Sequence, residues 1–264
     1  MSNRIAWTAF AALAYLSFLA ASAYAFAFLA GVAVPRTVDS GGPPAGHVTA
    51  GLIDAALLGL FALQHSVMAR AGFKRWLTRV VPTYGERSVY VLASSGVLGL
   101  IFWQWRPIGV ELWDVDFAPA RIALWVGYGL GWVLVVAMTY AIDHWDLFGI
   151  GPVLREIRGR GPAAPEFRLP VAYRLVRHPM MTGFFVTFLV TPRMTAGHLL
   201  FAVLGIGYVV VAVRLEERDL VATLPEYPAY AARTPRFLPR VRRRYAPVSA
   251  GRDGSAPHWD HEPV

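Results

Sequence analysis

Cysteine is absent from this chain, and its absence excludes several kinds of site. Without thiols the protein has no disulfide bonds, no thiolate-bound metal and no cysteine nucleophile. Cysteine usage therefore gives no information about the redox compartment in which the protein folds.

Lysine is almost absent, since Lys74 is the only one, and the net charge of +8 is carried by arginine. A pI near 10.1 first suggests nucleic acid as a partner. The arginines flank apolar segments, however, where anionic headgroups and the bias of basic residues toward the cytoplasmic side account for them. We therefore expect a membrane protein that does not bind nucleic acid.

Long apolar segments dominate the chain, which has 56% hydrophobic residues and a mean hydropathy of +0.44. Such segments, separated by charge, are typical of membrane proteins. Four are long enough to cross a bilayer, and they run from Ile5 to Val34, Val48 to Val67, Ser88 to Trp105 and Ile122 to Ile142. The first is too long for the apolar region of a signal peptide. The sequence therefore predicts an all-α, polytopic transmembrane helix bundle.

Two further apolar segments, about Met180 to Val190 and Ala196 to Val213, predict a helical hairpin that bends at Pro192. The first arm is shorter than the roughly 20 residues that a full span needs. It therefore either tilts, lies partly in the cytoplasmic interface, or is a half-length helix packed on protein. The sequence leaves these three alternatives open.

The charge of the loops predicts the orientation of the bundle. The loop after the second span and the loop after the fourth are rich in arginine, whereas the loop after the third carries Glu111, Asp114 and Asp116. Because basic loops stay inside, both termini are expected to be cytoplasmic, in a bacterial inner membrane. Glycines 127, 129 and 131 of the fourth span would let a neighbouring helix approach closely, which permits a homo-oligomer without requiring one.

The residues best suited to bind a ligand are concentrated between Tyr173 and Pro239. Pro179 suits the first position of a helix, and the free N–H groups of that first turn, beside Arg177 and His178, form a seat for a carboxylate. Gly183 lies one turn further on, where a ligand could approach the backbone.

Acidic and aromatic residues follow the second arm of the hairpin. Glu216 and Glu217 stand at its end, and Tyr227 and Tyr230 share a helix face beyond it. These side chains suit a ligand that carries an ammonium group, ribose hydroxyls and an adenine ring. The alternative is that the charges only neutralise each other and the tyrosines only anchor the interface.

Taken in order, these motifs resemble the C-terminal region of the integral-membrane methyltransferases related to isoprenylcysteine carboxyl methyltransferase. The matching residues are Arg177-His178-Pro179-Met180-Met181-Thr182-Gly183, Glu216-Glu217-Arg218-Asp219-Leu220, Tyr227 to Tyr230, and Arg233-Thr234-Pro235-Arg236. Met181 stands where that family has a tyrosine, which weakens the transfer of any role for that ring.

A second resemblance covers nearly the whole chain and is to the bacterial methanethiol S-methyltransferases of the nurim family. It rests on the segments His65 to Arg70, Phe73 to Trp76, Glu86 to Ser88, Phe102 to Pro107 and Asp146 to Gly149. This resemblance implies S-adenosyl-L-methionine as methyl donor, methanethiol as acceptor, dimethyl sulfide as product and no metal. The residues that it implies for binding the donor are Arg177, His178, Pro179, Met181, Glu216, Tyr227, Tyr230 and Arg236.

A simple thiol is mostly protonated at neutral pH, since the thiol of cysteine titrates at about 8.5, so the acceptor needs a base or a cationic setting. The candidates at the cytoplasmic ends of the spans are His65, Asp143 and His144. His144 could accept the proton with Asp143 or Asp146 orienting it, while Arg70 or Arg87 could stabilise the thiolate. The alternative is that each histidine is only a satisfied group at the membrane interface.

We interpret residues 1–240 as a single membrane methyltransferase domain, with its cofactor-binding part at about 173–240. Residues 241–264 are expected to form a basic, disordered tail that binds anionic lipid. Two other functions stay open. One is methylation of another membrane-accessible acceptor, such as a prenylcysteine carboxylate or a lipid amine. The other is a non-catalytic nurim-like protein or a transporter.

Overall fold

The computed structural model describes residues 2–161 and 171–239, and most of these residues are helical, with very little sheet. The helices are α1 (Ser2–Ala30), α2 (His47–Ala69), α3 (Ala71–Leu77), α4 (Glu86–Gln104), α5 (Ala118–Ile142), α6 (His144–Leu147), α7 (Ile150–Ile157), α8 (Val171–Leu175), α9 (Pro179–Leu189), α10 (Ala196–Thr223) and α11 (Tyr227–Arg233). A 3₁₀ turn, Thr83–Gly85, precedes α4, and the two short strands are β1 (Glu111–Asp114) and β2 (Arg193–Thr195). The predicted all-α bundle is confirmed. The predicted tail, 241–264, lies outside the described residues.

Four of the described helices are long and apolar enough to cross a membrane: α1 from Arg4, α2, α5 and α10. Three of them correspond to the first, second and fourth predicted spans. The third predicted span forms α4 but is not among the four, because this helix begins with Glu86 and Arg87 and carries Ser94 and Ser95. The fourth membrane-length helix is instead α10, which continues beyond the predicted end of its apolar segment to Thr223.

A small antiparallel sheet closes one end of the bundle, which we call the sheet end. Strand β1 follows α4, and β2 lies between α9 and α10, with Glu111 opposite Thr195. The Thr195 hydroxyl also accepts a hydrogen bond from the backbone N–H of His198, which caps α10. The sequence predicts the bend near Pro192 but not the strands, because strands this short leave no readable alternation.

Helix α9 is a half-length helix packed on α5. Its buried residues Pro179, Gly183 and Thr187 recur every four positions and so form one face. A Cβ atom on Gly183 would lie 2.8 Å from Cγ2 of Val135 and 3.0 Å from the carbonyl oxygen of Gly131. Of the three alternatives for the short arm, the structure therefore shows the helix packed on protein. The space beside Gly183 is filled by α5 and not open to a ligand.

The glycines of α5 do not all have the same role. A Cβ atom on Gly131 would meet Thr187 and Val186 at 2.9 Å, and one on Gly127 would meet Val190 at 3.0 Å. Nothing among the described residues lies within 4 Å of a Cβ atom built on Gly129. Two of the three predicted contact glycines are thus used inside the protein, against α9.

Candidate functional site

At the end of the bundle away from the sheet, which we call the site end, three cationic or protonatable side chains converge on Glu217. One carboxylate oxygen of Glu217 lies 3.0 Å from Nε of Arg177 and 3.1 Å from Nε2 of His178. The other accepts hydrogen bonds from Arg236, at 2.9 Å from Nε and 2.5 Å from Nη2. The Glu217 side chain is only 10% exposed, so these partners replace the water that it would otherwise bind.

Backbone pairing holds this cluster together. Pro179 starts α9, as predicted, and the two residues before it lie outside any helix, so their N–H groups can pair with another segment. The N–H of Arg177 donates to the carbonyl of Pro235 at 2.8 Å, and that of His178 donates to the carbonyl of Arg236 at 3.1 Å. The segment after α11 thus returns along the start of α9, which carries Arg236 to Glu217.

A cavity of about 210 Å³ lies beside the cluster. Its lining residues are Ile142, Tyr173, Arg177, His178, Met180, Met181, Glu216, Leu220, Leu224, Tyr227 and Tyr230. Six of the eight residues predicted to bind the donor are therefore brought to one cavity, and they are Arg177, His178, Met181, Glu216, Tyr227 and Tyr230. Pro179 and Arg236 are outside the lining and contribute through the helix start and through Glu217.

The lining of the cavity is chemically mixed. Arg177, His178 and Glu216 contribute charged or protonatable groups, and Met180, Met181 and Leu220 contribute apolar surface. Among the described residues no side chain caps α9, so N–H groups of its first turn remain available near Arg177 and His178. The arrangement can therefore hold a ligand that carries both charged groups and a small apolar group.

The tyrosines of the cavity are buried or half-buried, and Tyr173 and Tyr227 stay protonated at physiological pH. Burial raises the pKa of Tyr173 and of Tyr227 to about 12. The Tyr230 hydroxyl donates to the carbonyl of Tyr173 at 2.7 Å, which joins α11 to α8. The buried Tyr227 hydroxyl, in contrast, forms no hydrogen bond of normal geometry among the described residues, although the Glu217 carboxylate is close enough to help raise its pKa. A ligand in the cavity could complete the hydrogen bonding of this hydroxyl.

The two adjacent carboxylates have different surroundings, and the sequence analysis selected only one of them. Glu216 lines the cavity, is 57% exposed and lies 4.0 Å from Nδ1 of His178. Glu217 points away from the lining into the cluster. The sequence pattern could have identified Glu217, because this residue lies one turn after Val213 on an otherwise apolar face of α10. Both residues are buried.

His144 lies outside the residues that line the cavity. Its Nε2 is 2.8 Å from the Tyr15 hydroxyl and its Nδ1 is 2.8 Å from the Thr139 hydroxyl, so it connects α1, α5 and α6. Burial lowers the pKa of His144, with a smaller opposing effect from Asp143. Asp143 is exposed, and its carboxylate accepts a hydrogen bond from the backbone N–H of Asp146 at 3.1 Å, which caps α6.

His65 and Arg87 belong to a third group of residues, between α2 and α4. The His65 ring lies 2.7 Å from the Tyr90 hydroxyl and 3.2 Å from the Ser94 hydroxyl, and the Arg87 guanidinium lies 5.5 Å from the centre of the Tyr90 ring. This group touches α10 through Tyr208, which is nine residues before Glu217 and so on the opposite face of that helix. The structure therefore does not bring the four predicted catalytic residues together at the cavity.

Comparison with known proteins assigns the chain to a family. Residues 54–227 match the family model described as NnrU protein. The chain belongs to the NnrU family. The matched range contains Arg177, His178 and both carboxylates of the α10 pair, and it reaches Tyr227, so it includes most of the cavity.

This NnrU-family chain is also similar to individual proteins. It is 48% identical over 236 residues to methanethiol S-methyltransferase of Mycobacterium tuberculosis, covering 89% of this chain and 96% of the relative. It is 42% identical over 260 residues to methanethiol S-methyltransferase 2 of Bradyrhizobium diazoefficiens, covering 97% of this chain and 100% of the relative. Nurim of Mus musculus is 30% identical over 202 residues, covering 69% of this chain and 76% of the relative. No solved structure matches the chain.

These similarities confirm the resemblance to the methanethiol S-methyltransferases of the nurim family that the motifs indicated. Together with the four membrane-length helices they identify an integral membrane protein.

Proposed function

We propose that this protein transfers a methyl group from S-adenosyl-L-methionine to methanethiol, which gives dimethyl sulfide, at the cytoplasmic side of the membrane. The observation that carries the proposal is the convergence of Arg177, His178 and Arg236 on Glu217, directly beside a cavity lined by six residues expected to bind the donor. The names of the relatives supply the acceptor. The arginine-rich loops at the site end support the cytoplasmic orientation.

The residues present fit the donor. Arg177 and the first-turn N–H groups of α9 would hold its carboxylate, and Glu216 would accept hydrogen bonds from its ammonium group or its ribose hydroxyls. The buried hydroxyl of Tyr227 lines the cavity and would donate one more hydrogen bond. When bound, S-adenosylmethionine supplies a methyl group on a positively charged sulfonium. The electron-rich faces of the tyrosine rings are suited to lie near such a cation.

The protein's own contribution to the reaction is alignment and the exclusion of water. Met180, Met181 and Leu220 offer apolar surface for the small thiol within the same cavity. Holding two reactants in line contributes on the order of 7–11 kcal/mol to lowering the barrier. The attacking species is the thiolate, so the thiol must lose its proton before or during transfer. His144, Asp143, His65 and Arg87 stay proposals for the groups that assist this step.

The proposed function is tested by headspace gas chromatography of membranes that contain the protein, supplied with S-adenosylmethionine and methanethiol. We expect dimethyl sulfide from the wild type. In the variants His178→Ala and Glu216→Ala we expect a decrease of at least about 100-fold, since each removes a polar contact to the donor. Binding of S-adenosylmethionine to the purified protein is measured in parallel.

The two measurements together separate the ways in which the proposal can fail. Donor binding without dimethyl sulfide would mean that the acceptor is another membrane-accessible nucleophile. Neither binding nor product from folded protein would mean that this family member is not a methyltransferase.

His144→Asn is expected to lower stability more than activity. The substitution removes the ring that connects Tyr15 to Thr139, and losing two hydrogen bonds costs about 1–3 kcal/mol of unfolding free energy. The measurement compares thermal unfolding in detergent with steady-state kinetics, and the same substitution at an exposed histidine, His47→Asn at the start of α2, serves as the control. A fall in kcat of more than about 100-fold, with stability and donor affinity unchanged, would instead identify His144 as the catalytic base.

A further inference from the structure

A second cavity, of about 580 Å³, lies between α1 and α4 toward the sheet end, and the proposed reaction does not use it. We call it the α1–α4 groove. Small residues form its floor, among them Ser17 and Ala20 on α1 and Gly96 and Gly99 on α4. Both glycines are exposed, and nothing among the described residues lies within 4 Å of a Cβ atom built on either of them. The groove is therefore open along the side of the bundle, where the acyl chains of the bilayer lie.

The length of the groove corresponds to one leaflet. On α4 its lining runs from Leu92 to Trp103, which lie 11 helical steps and about 16 Å apart along the helix axis. The hydrocarbon core of a bilayer is about 30 Å thick, so each leaflet contributes about half of it. The aromatic residues Tyr24, Phe102 and Trp103 lie at the end of the groove nearest the sheet, as expected for residues at headgroup depth.

The side chain of Arg36 places a positive charge at that same end of the groove. Arg36 lines the groove, and its Nη1 donates a hydrogen bond to the carbonyl of Trp103. The Tyr24 hydroxyl, on α1, donates to the Arg36 carbonyl at 3.1 Å, and this hydrogen bond holds the backbone of Arg36 in place. Within the described part of the chain, no carboxylate forms an ion pair with Arg36. The guanidinium therefore presents positive charge at the depth where lipid phosphates lie.

We propose that the α1–α4 groove binds one anionic glycerophospholipid, with an acyl chain along the glycine floor and the headgroup phosphate on Arg36. The apolar floor matches the chain, and the guanidinium at its end matches a phosphate, which an arginine can bind through two N–H groups. This inference concerns a different part of the molecule and does not depend on the proposed reaction.

A second copy of the chain is the other occupant that a floor of small residues could accept. In a twofold dimer within a membrane, the same face of each copy meets at the same depth. Docking through the groove would therefore bring the two Arg36 guanidinium groups toward each other and take them out of water without a counterion, which is unfavourable. The position of the cation favours a phospholipid.

The test uses native mass spectrometry of the full-length protein in detergent, with added phosphatidylglycerol or phosphatidylcholine that carry identical acyl chains. The double substitution Gly96→Leu/Gly99→Leu fills the floor with side chains that point into open space. Arg36→Gln removes the charge but keeps a side chain able to donate to the Trp103 carbonyl. Gly59→Leu is the matched control, because Gly59 is exposed on α2, away from the groove, and also has open space at its Cβ position.

We expect the wild type and Gly59→Leu to retain one phosphatidylglycerol molecule, about fivefold more strongly than phosphatidylcholine, since one arginine near anionic lipid contributes a factor of that order. Arg36→Gln should bind the two lipids equally, and the double variant should retain neither. Thermal unfolding verifies that each variant is folded. Equal retention by the double variant and the wild type would overturn the proposal. It would also be overturned by a wild-type dimer that the double variant converts to a monomer.

Discussion

Replacing Glu217 by glutamine is expected to abolish methyl transfer and to weaken binding of S-adenosylmethionine by at least about 100-fold, which corresponds to about 2.7 kcal/mol. The carboxylate is the common counterion of Arg177, His178 and Arg236. Removing one partner from a buried ion pair costs about 3–5 kcal/mol, because the charges that remain are left without compensation. The cavity wall would then lose the arrangement that presents Arg177 and His178 to the donor.

Asp219→Asn is the matched control for this substitution. Asp219 is on the same helix and also pairs with an arginine, at 3.1 Å from Arg70, but both side chains are largely exposed, at 69% and 47%. An exposed ion pair contributes about 0–1 kcal/mol, so this variant should keep near-normal donor binding and activity. The measurements are equilibrium dialysis with labelled donor, headspace analysis of the product, and thermal unfolding.

Glu217→Asp tests whether Glu217 acts by positioning Arg177 and His178 or only by stabilising the folded protein. It retains the charge on a shorter side chain, so it should fold better than Glu217→Gln and regain part of the donor binding. Donor affinity in folded Glu217→Gln equal to that of the wild type would show that the cluster does not organise the site.

Gly183→Ala is expected to have the second largest effect, through packing. The added methyl group would lie 2.8 Å from Cγ2 of Val135 and 3.0 Å from the backbone oxygen of Gly131, and the backbone of α5 has little room to retreat. Overpacking of this kind costs about 1–3 kcal/mol. Because α9 begins at Pro179, directly after His178, its displacement should also weaken donor binding.

Gly129→Ala provides the comparison, since it adds the same methyl group to α5 where nothing described lies within 4 Å. Alanine favours a helix over glycine by about 1 kcal/mol, so this variant should be as stable as the wild type or slightly more so. Unfolding in detergent measures both variants. If Gly183→Ala proved as stable as Gly129→Ala, the close approach of α9 and α5 would not be required for the fold.

The sequence alone determined the class of the protein and the chemistry of its C-terminal third. Long apolar segments must become helices in a bilayer, because only helices and closed barrels satisfy every backbone hydrogen bond there. The motifs around His178, Glu216 and Tyr227 could be recognised in the sequence for two reasons. Each contains a proline or a charged or aromatic residue, and these residues occur at a fixed spacing. Six of the eight residues selected in this way line one cavity.

Only the tertiary structure decided which of these residues act together. It selected Glu217 rather than Glu216 as the counterion of the cluster, since the choice depends on which face of α10 meets α9. It also separated His144 and His65 from the cavity, although His65 lies near the end of α2 and His144 follows directly after the end of α5. Hydropathy and spacing fix the depth of a side chain along a helix, whereas the direction in which it points relative to its neighbours is set by packing between helices, as at Gly131 and Gly183.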